Sequence, residues 1–229
     1  MNYLQWAKTT KEVKMNRLSK KLALVPVFLL AFATQADVLQ DIKPLQDRWA
    51  EVNYSMSEEQ KEQAFPELVK QANAVVATNP DKAEALIWRG IIKSSYAGVK
   101  GGLGAMSLAE ESKADLEAAL KIDSQALQGS AYTSLGVLYY KVPGWPIGFG
   151  SDKNAKKMLE KALSINPQGI DPNYFYAEFL TEERDYKAAM SYIEKAKQAA
   201  PRPDRISADQ GRLQEIAALE AKVAKKLKR

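Results

Sequence analysis

The sequence predicts an all-α protein, a solenoid of three to four stacked helix pairs finished by a C-terminal capping helix. Three observations predict it. One pattern of small and bulky residues recurs in register three times between residues 83 and 201. Prolines at 80, 167 and 201 stop the second helix of three of the four helix pairs. An apolar stripe at three- and four-residue spacing follows the last of them, at Ile206, Leu213, Ile216, Leu219, Val223 and Leu227.

The chain has 229 residues, 46% hydrophobic and 27% charged, enough for one domain with a packed core and unlike either a disordered chain or a multidomain enzyme. A formal charge of +5 suggests an anionic partner until the charge is located. Six basic residues (Lys8, Lys11, Lys14, Arg17, Lys20, Lys21) and one acidic residue, Glu12, fall in the first 36 positions. The remainder is balanced, with 27 of each sign.

Residues 1–36 read as a targeting segment. A basic stretch from Met15 to Lys21 precedes the apolar run Leu22–Ala33, and Thr34-Gln35-Ala36 places small residues where a signal peptidase inspects. Twelve apolar residues rise about 18 Å as a helix, short of a hydrocarbon core of roughly 30 Å, and Pro26 interrupts them. Export with cleavage after Ala36 is therefore expected, the alternatives being an uncleaved N-terminal anchor or a buried core helix. Met15 is an alternative start. Cysteine and histidine are both absent, which excludes a disulfide framework, a lipidated cysteine, a His/Cys metal site and a histidine-based triad. No cofactor and no catalysis are expected.

Four segments follow the leader. Residues 37–82 carry Leu39, Ile42, Leu45 and Trp49, then Leu68, Ala72, Val75 and Asn79-Pro80, the two helices of a degenerate first repeat. Residues 83–201 hold three copies of the pattern. The clearest begins at Ile170, with Tyr176-Ala177 and Leu180 on one helix, then Ala189, Ile193 and Ala196 on the next, and closes at Pro201. The preceding copy has Tyr132, Leu135-Gly136 and Tyr139, then Ala155, Leu159 and Ala162, with about seven extra residues within 142–152. The first runs from Ala83 through Leu86, Gly90, Leu116 and Ala119, with about ten extra residues around Gly98–Gly104, read as a loop insertion. Arg89 and Lys93 stand where this copy should be apolar. Residues 202–229 form the cap, whose polar face is expected in solvent.

The recurring pattern resembles the tetratricopeptide repeat (TPR) superfamily directly over 85–201. Within it, Tyr-Lys-Val-Pro-Gly-Trp-Pro-Ile-Gly-Phe-Gly (140–150) and Asp-Pro-Asn-Tyr-Phe-Tyr (171–176) are similar to exported TPR proteins of Gram-negative bacteria, with a fainter likeness to the periplasmic TPR partner of TRAP transporters. The resemblance implies a scaffold whose first helices line a concave groove, and register then places Ile87, Ile91, Ser94, Thr133, Val137, Tyr140, Lys141, Tyr174, Glu178 and Thr181 on that face. These side chains either bind an extended peptide or helix, or pack against a terminal helix folded into the groove.

In the 142–151 insertion Trp145, Ile147 and Phe149 alternate with Pro146, Gly148 and Gly150, which predicts an extended loop with the three apolar side chains on one side. They are expected to tuck onto the helices, the alternative being an exposed lip. Gly98, Gly101, Gly102 and Gly104 lack the Gly-Lys-Ser/Thr ending of a phosphate-binding loop and read instead as a flexible hinge leading into a lengthened helix. Paired carboxylates at 58–59, 110–111 and 182–183 are adjacent in sequence and read as solvated surface. The functional expectation is a periplasmic scaffold for a protein or peptide partner of the cell envelope. It is not integral to the membrane and not nucleic-acid binding, and homo-oligomerisation is left open. A ligand-binding transporter accessory is the alternative, and an enzyme a more distant one.

Overall fold

Nine helices make up the described part of the chain. The computed structural model describes residues 26–228, with side-chain surroundings from Val38 onward and Leu103 apart. The leader read in residues 1–36 lies outside those side chains. The helices are α1 (Pro26–Ser55), α2 (Glu58–Thr78), α3 (Ala83–Lys100), α4 (Gly102–Ile122), α5 (Ala126–Lys141), α6 (Asp152–Ile165), α7 (Ile170–Glu182), α8 (Tyr186–Lys197) and α9 (Ile206–Leu227). No strand occurs among the described residues, and no helix there is long and apolar enough to cross a membrane.

Short connections force neighbours antiparallel, so α1/α2, α3/α4, α5/α6 and α7/α8 form four hairpins and α9 closes the series as a cap. The recurring small residues explain why the hairpins close. A Cβ on Gly136 would stand 2.5 Å from Leu159 Cγ, and one on Gly90 would stand 2.9 Å from Leu116 Cγ. Ala155, Ala162, Ala189 and Ala196 are fully buried on the partner helices, where a larger side chain would push the pair apart.

The turns repeat too. Asn79 and Asn166 each cap the helix before a proline, and each reaches back to its hairpin partner: Asn79 Nδ2 donates to Asp41 Oδ2 at 2.9 Å, and Asn166 Nδ2 to Gln128 Oε1 at 2.9 Å. The helix starts are capped where the sequence offers a cap. Ser57 and Gln60 exchange bonds as a capping box, and the side chains of Ser151 and Asp185 accept from the amides of Asn154 and Ala188.

Two expectations need correction here. The extra residues around Gly98–Gly104 are not a loop insertion but lie in the lengthened helices that the glycine hinge also implied: α3 runs to Lys100 and α4 begins at Gly102. Only Gly101 and Gly102 are in the left-handed region (φ 64° and 62°), so one tight break suffices and the extra residues lengthen both helices. Arg89 and Lys93, the two departures from the apolar pattern, meet a buried carboxylate in place of a hydrophobic partner. Asp115 takes Arg89 Nε at 2.8 Å and Lys93 Nζ at 3.1 Å, which joins α3 to α4 by charge.

Helix α9 does more than cover α8. Its apolar stripe is buried at Ile216, Leu219 and Val223 against α7 and α8, whereas Ile206, Leu213 and Leu227 are exposed. An adjoining stripe of the same helix, at Gly211 and Glu215, turns toward the start of the solenoid. The ring of Tyr54, on α1, lies against Gly211, and Tyr54 Oη donates to Glu215 at 3.4 Å. The first and last helices of the stack therefore meet.

Candidate functional site

The first helices of the hairpins, with α9 drawn across them, enclose a cavity of about 1810 Å³ on the concave side. Its wall passes from Trp49 and Trp88, along Ser94 and Thr133, to Glu178 and the α8–α9 link. Of the residues expected on this face, Ile91, Ser94, Thr133, Val137, Lys141, Tyr174 and Glu178 line it.

Three do not. Ile87 is fully buried in the core shared with α1 and α2, one turn too early on α3 to reach the groove. Tyr140 turns from the cavity into the α5–α7 contact, packs on Phe179 with ring centroids 5.8 Å apart, and donates to Glu178 Oε2 at 2.5 Å. Thr181 is buried, its hydroxyl donating to the Ala177 carbonyl. Tyr174 borders the cavity but is itself largely covered, because the Arg212 guanidinium from α9 lies 4.6 Å from its ring centroid and 4.4 Å from that of Phe175. Packing of a terminal helix into the groove thus accounts for one end of it, and the middle is open.

The α9 end is polar and tightly paired. Arg212 Nε donates to Asp171 Oδ1 at 2.9 Å, Arg202 donates to Asp171 Oδ2 at 2.7 Å, and Arg202 also binds Asp209 through its backbone amide and its guanidinium. A further Arg212 nitrogen meets Glu215. Burial alone would raise the Asp171 pKa, but the charges of Arg212 and Arg202 outweigh it and hold the carboxyl at about 2. Burial holds Glu215 above the ordinary carboxylate range despite Arg212. Burial likewise pushes the Tyr54, Tyr140 and Tyr174 hydroxyls upward, so all three stay protonated; Tyr54 and Tyr140 donate to carboxylates, and Tyr174 offers its ring as packing surface. Among the described residues no cluster of acidic side chains is grouped to hold a metal ion.

These cap residues were missed by reading the polar face of α9 as solvent-facing. A signal existed. Arg205, Asp209, Arg212 and Ile216 stand at three- and four-residue spacing, and Gly211 interrupts an otherwise good helix former, which marks a close approach. A second feature had almost no signal. Leu127, Gln128 and Gly129 form a left-handed turn (φ 47°, 56° and 78°) at the start of α5, and the first two line the cavity. Left-handed non-glycine residues cost about 1–2 kcal/mol each, so the surrounding contacts, including Asn166 on Gln128, must hold them.

The 142–151 insertion is a tight turn and not an extended strand. The Gly144 carbonyl accepts from Ile147 and Gly148, the Gly150 amide donates to Pro143, and the Trp145-Pro146 bond is cis. The turn splits the apolar side chains. Phe149 tucks against Tyr139 (centroids 5.9 Å apart, edge to face) with Lys113 over its ring, whereas Trp145 is 90% exposed and Ile147 73% exposed. The expected tucking holds for Phe149 and fails for Trp145 and Ile147. Accordingly Trp145→Ala should leave the melting temperature unchanged and Phe149→Ala should cost about 1–2 kcal/mol; thermal unfolding of both variants, with the order reversed, would contradict this placement.

Residues 170–203, which span α7 and α8, match the tetratricopeptide repeat family model. No curated protein matches the sequence. Among solved structures, the crystal structure of a thermophilic TPR protein from Thermus thermophilus is similar over 89% of this chain and 95% of that one, with a TM-score of 0.53 and 14% sequence identity. At that identity the likeness is one of fold: the described body is a TPR-type helical solenoid.

Proposed function

We propose that this TPR-fold chain is a protein-interaction scaffold whose concave cavity holds a segment of a partner polypeptide. The observation that carries the reading is the size and make-up of the cavity. Small-molecule pockets occupy about 300–1,000 Å³, whereas this one is about 1810 Å³ and its wall mixes aromatic faces, hydroxyls and charges, most of them paired. Such a wall suits a chain with its own amides and mixed side chains better than a compact apolar ligand. The same volume argues against the transporter-accessory alternative in its small-ligand form.

Ser94 and Ser134 face the cavity from α3 and α5, half-buried and outside the ion-pair network. Replacing either by Trp plugs the cavity from within. Each plug should lower affinity for the partner segment at least about tenfold, a loss of roughly 1.4 kcal/mol, with far-ultraviolet circular dichroism unchanged. Full binding by both plugged variants would place the interaction on another face.

The leader pattern supports a further part of the proposal, that the scaffold works outside the cytoplasm on a cell-envelope partner. Recovery of the chain from the cytosol with residues 15–36 still attached would remove that part and leave the cavity reading intact.

A further inference from the structure

Five cationic and four anionic side chains line the cavity. Lys141 is paired with Glu178, Arg202 with Asp171 and Asp209, and Arg212 with Asp171 and Glu215. Lys195 lies over Tyr192 at the rim. Arg205 differs from the other two arginines: among the described residues no carboxylate comes within ion-pair distance of it, and even its neighbour Asp204 is exposed and unattached. Its guanidinium lies 4.8 Å from the ring centroid of Trp88.

Trp88 is 3% exposed, borders the same cavity, and its indole Nε1 finds no hydrogen-bond acceptor. A half-buried guanidinium without its anion and a buried indole N–H without its acceptor thus stand together. Both are deficits of the same kind, a missing acceptor, and each is costly to leave unmet. Burial, followed by repulsion from Arg202, outweighs the attraction of Asp171, Asp204 and Asp209 and holds the Arg205 pKa below its ordinary value. Helix α9 begins at Ile206, next in the chain; no side chain caps its first turn, and the carboxylate within that turn, Asp209, is held by Arg202.

We propose that Arg205 and Trp88 anchor a carboxylate of the polypeptide that occupies the cavity, an Asp or Glu side chain flanked by apolar or hydroxyl residues. The guanidinium fork takes the carboxylate oxygens, and the Trp88 ring beneath it holds the fork in place. This rests on the reading that a polypeptide segment fills the cavity.

The test is fluorescence polarisation of the chain with an array of octapeptide pairs, each pair identical except for Glu or Gln at the central position. The native chain should bind the Glu members at least about tenfold more tightly. Arg205→Gln should erase that difference and leave the Gln members unaffected, while Arg205→Lys should retain part of it. Equal binding of both members by the native chain, or a Glu preference that persists in Arg205→Gln, overturns the anchor. Failure of every peptide to bind overturns the polypeptide reading itself. Free hexanoate or glutarate competing at concentrations similar to the peptides would show a site for small acids and overturn the peptide part of the proposal. Arg205 has no ion pair to lose, so its variants should fold, and unchanged circular dichroism verifies this.

Discussion

Gly211→Ala is expected to destabilise the protein, although alanine is the better helix former by about 1 kcal/mol. A Cβ at this position would lie 2.2 Å from Tyr54 Cγ and 2.4 Å from both Cδ atoms. Because Cγ is the root of the ring, spinning the ring cannot relieve the overlap. Swinging the whole side chain is blocked by Trp49, whose ring meets that of Tyr54 edge to face at 5.6 Å and is itself fixed by a hydrogen bond from Nε1 to Ser95 Oγ at 2.8 Å. The relief available is separation of α1 from α9, and overpacking of this kind costs about 1–3 kcal/mol. The steric term therefore exceeds the propensity gain. Urea unfolding should show the loss, and hydrogen exchange should show faster opening of the C-terminal half of α1 with α5 and α6 unchanged. In a Tyr54→Ala background the sign should reverse, and Gly211→Ala should stabilise by about 1 kcal/mol. Stabilisation in the native background would mean that the two ends of the solenoid are apart in solution.

That contact marks where sequence legibility ends. The hairpins could be read because their determinants are local: Gly136 and Leu159, or Ala177 and Ile193, recur at fixed spacing, and the periodicity itself states which faces touch. The groove could be read for the same reason, though only along its middle. Ile91, Ser94, Thr133, Val137 and Lys141 line the cavity because register alone places them, while Ile87 fails because the atypical first hairpin covers that end of α3. What closes the groove could not be read. Asp171 and Arg212 are 41 residues apart, and Tyr54 and Glu215 are 161 apart. Nothing in a helical period distinguishes a polar face turned to water from one turned to a distant helix. The 142–151 loop failed for a different reason. Alternation implies a common side only while the backbone stays extended, and the chain turns at Gly144, which sends Trp145 outward and leaves Phe149 against Tyr139.

The largest effect is expected from Arg212→Met, which keeps the length of the side chain over Tyr174 and Phe175 and removes its charge. Arg212 is 6% exposed and is the cation shared by Asp171 and Glu215. Removing one partner of a buried ion pair costs about 3–5 kcal/mol, because the remaining charge stays buried. Here Arg202 still serves Asp171, so a loss near the lower end, about 3 kcal/mol, is expected at pH 7. The pH dependence separates charge from packing. Asp171 falls from 3.8 to about 2 on folding, so its ionised form stabilises the native state above about pH 4, and that contribution of about 2 kcal/mol is lost as the pH drops from 4 to 2. Glu215 is held above its ordinary value, so it opposes this trend: protonation relieves it in the folded state, and acid returns stability through it. Native protein should therefore lose stability between pH 4 and pH 2, and Asp171→Asn should lose less over the same interval. In Arg212→Met Glu215 loses its cation and Asp171 keeps only Arg202, so ionisation of the two carboxylates is less favourable than in the native chain and the deficit should shrink as the pH falls from 7 toward 3. Urea unfolding at pH 7, 5 and 3 measures this directly. A deficit of constant size across that range would assign the role of Arg212 to its packing on the two aromatic rings and not to its charge.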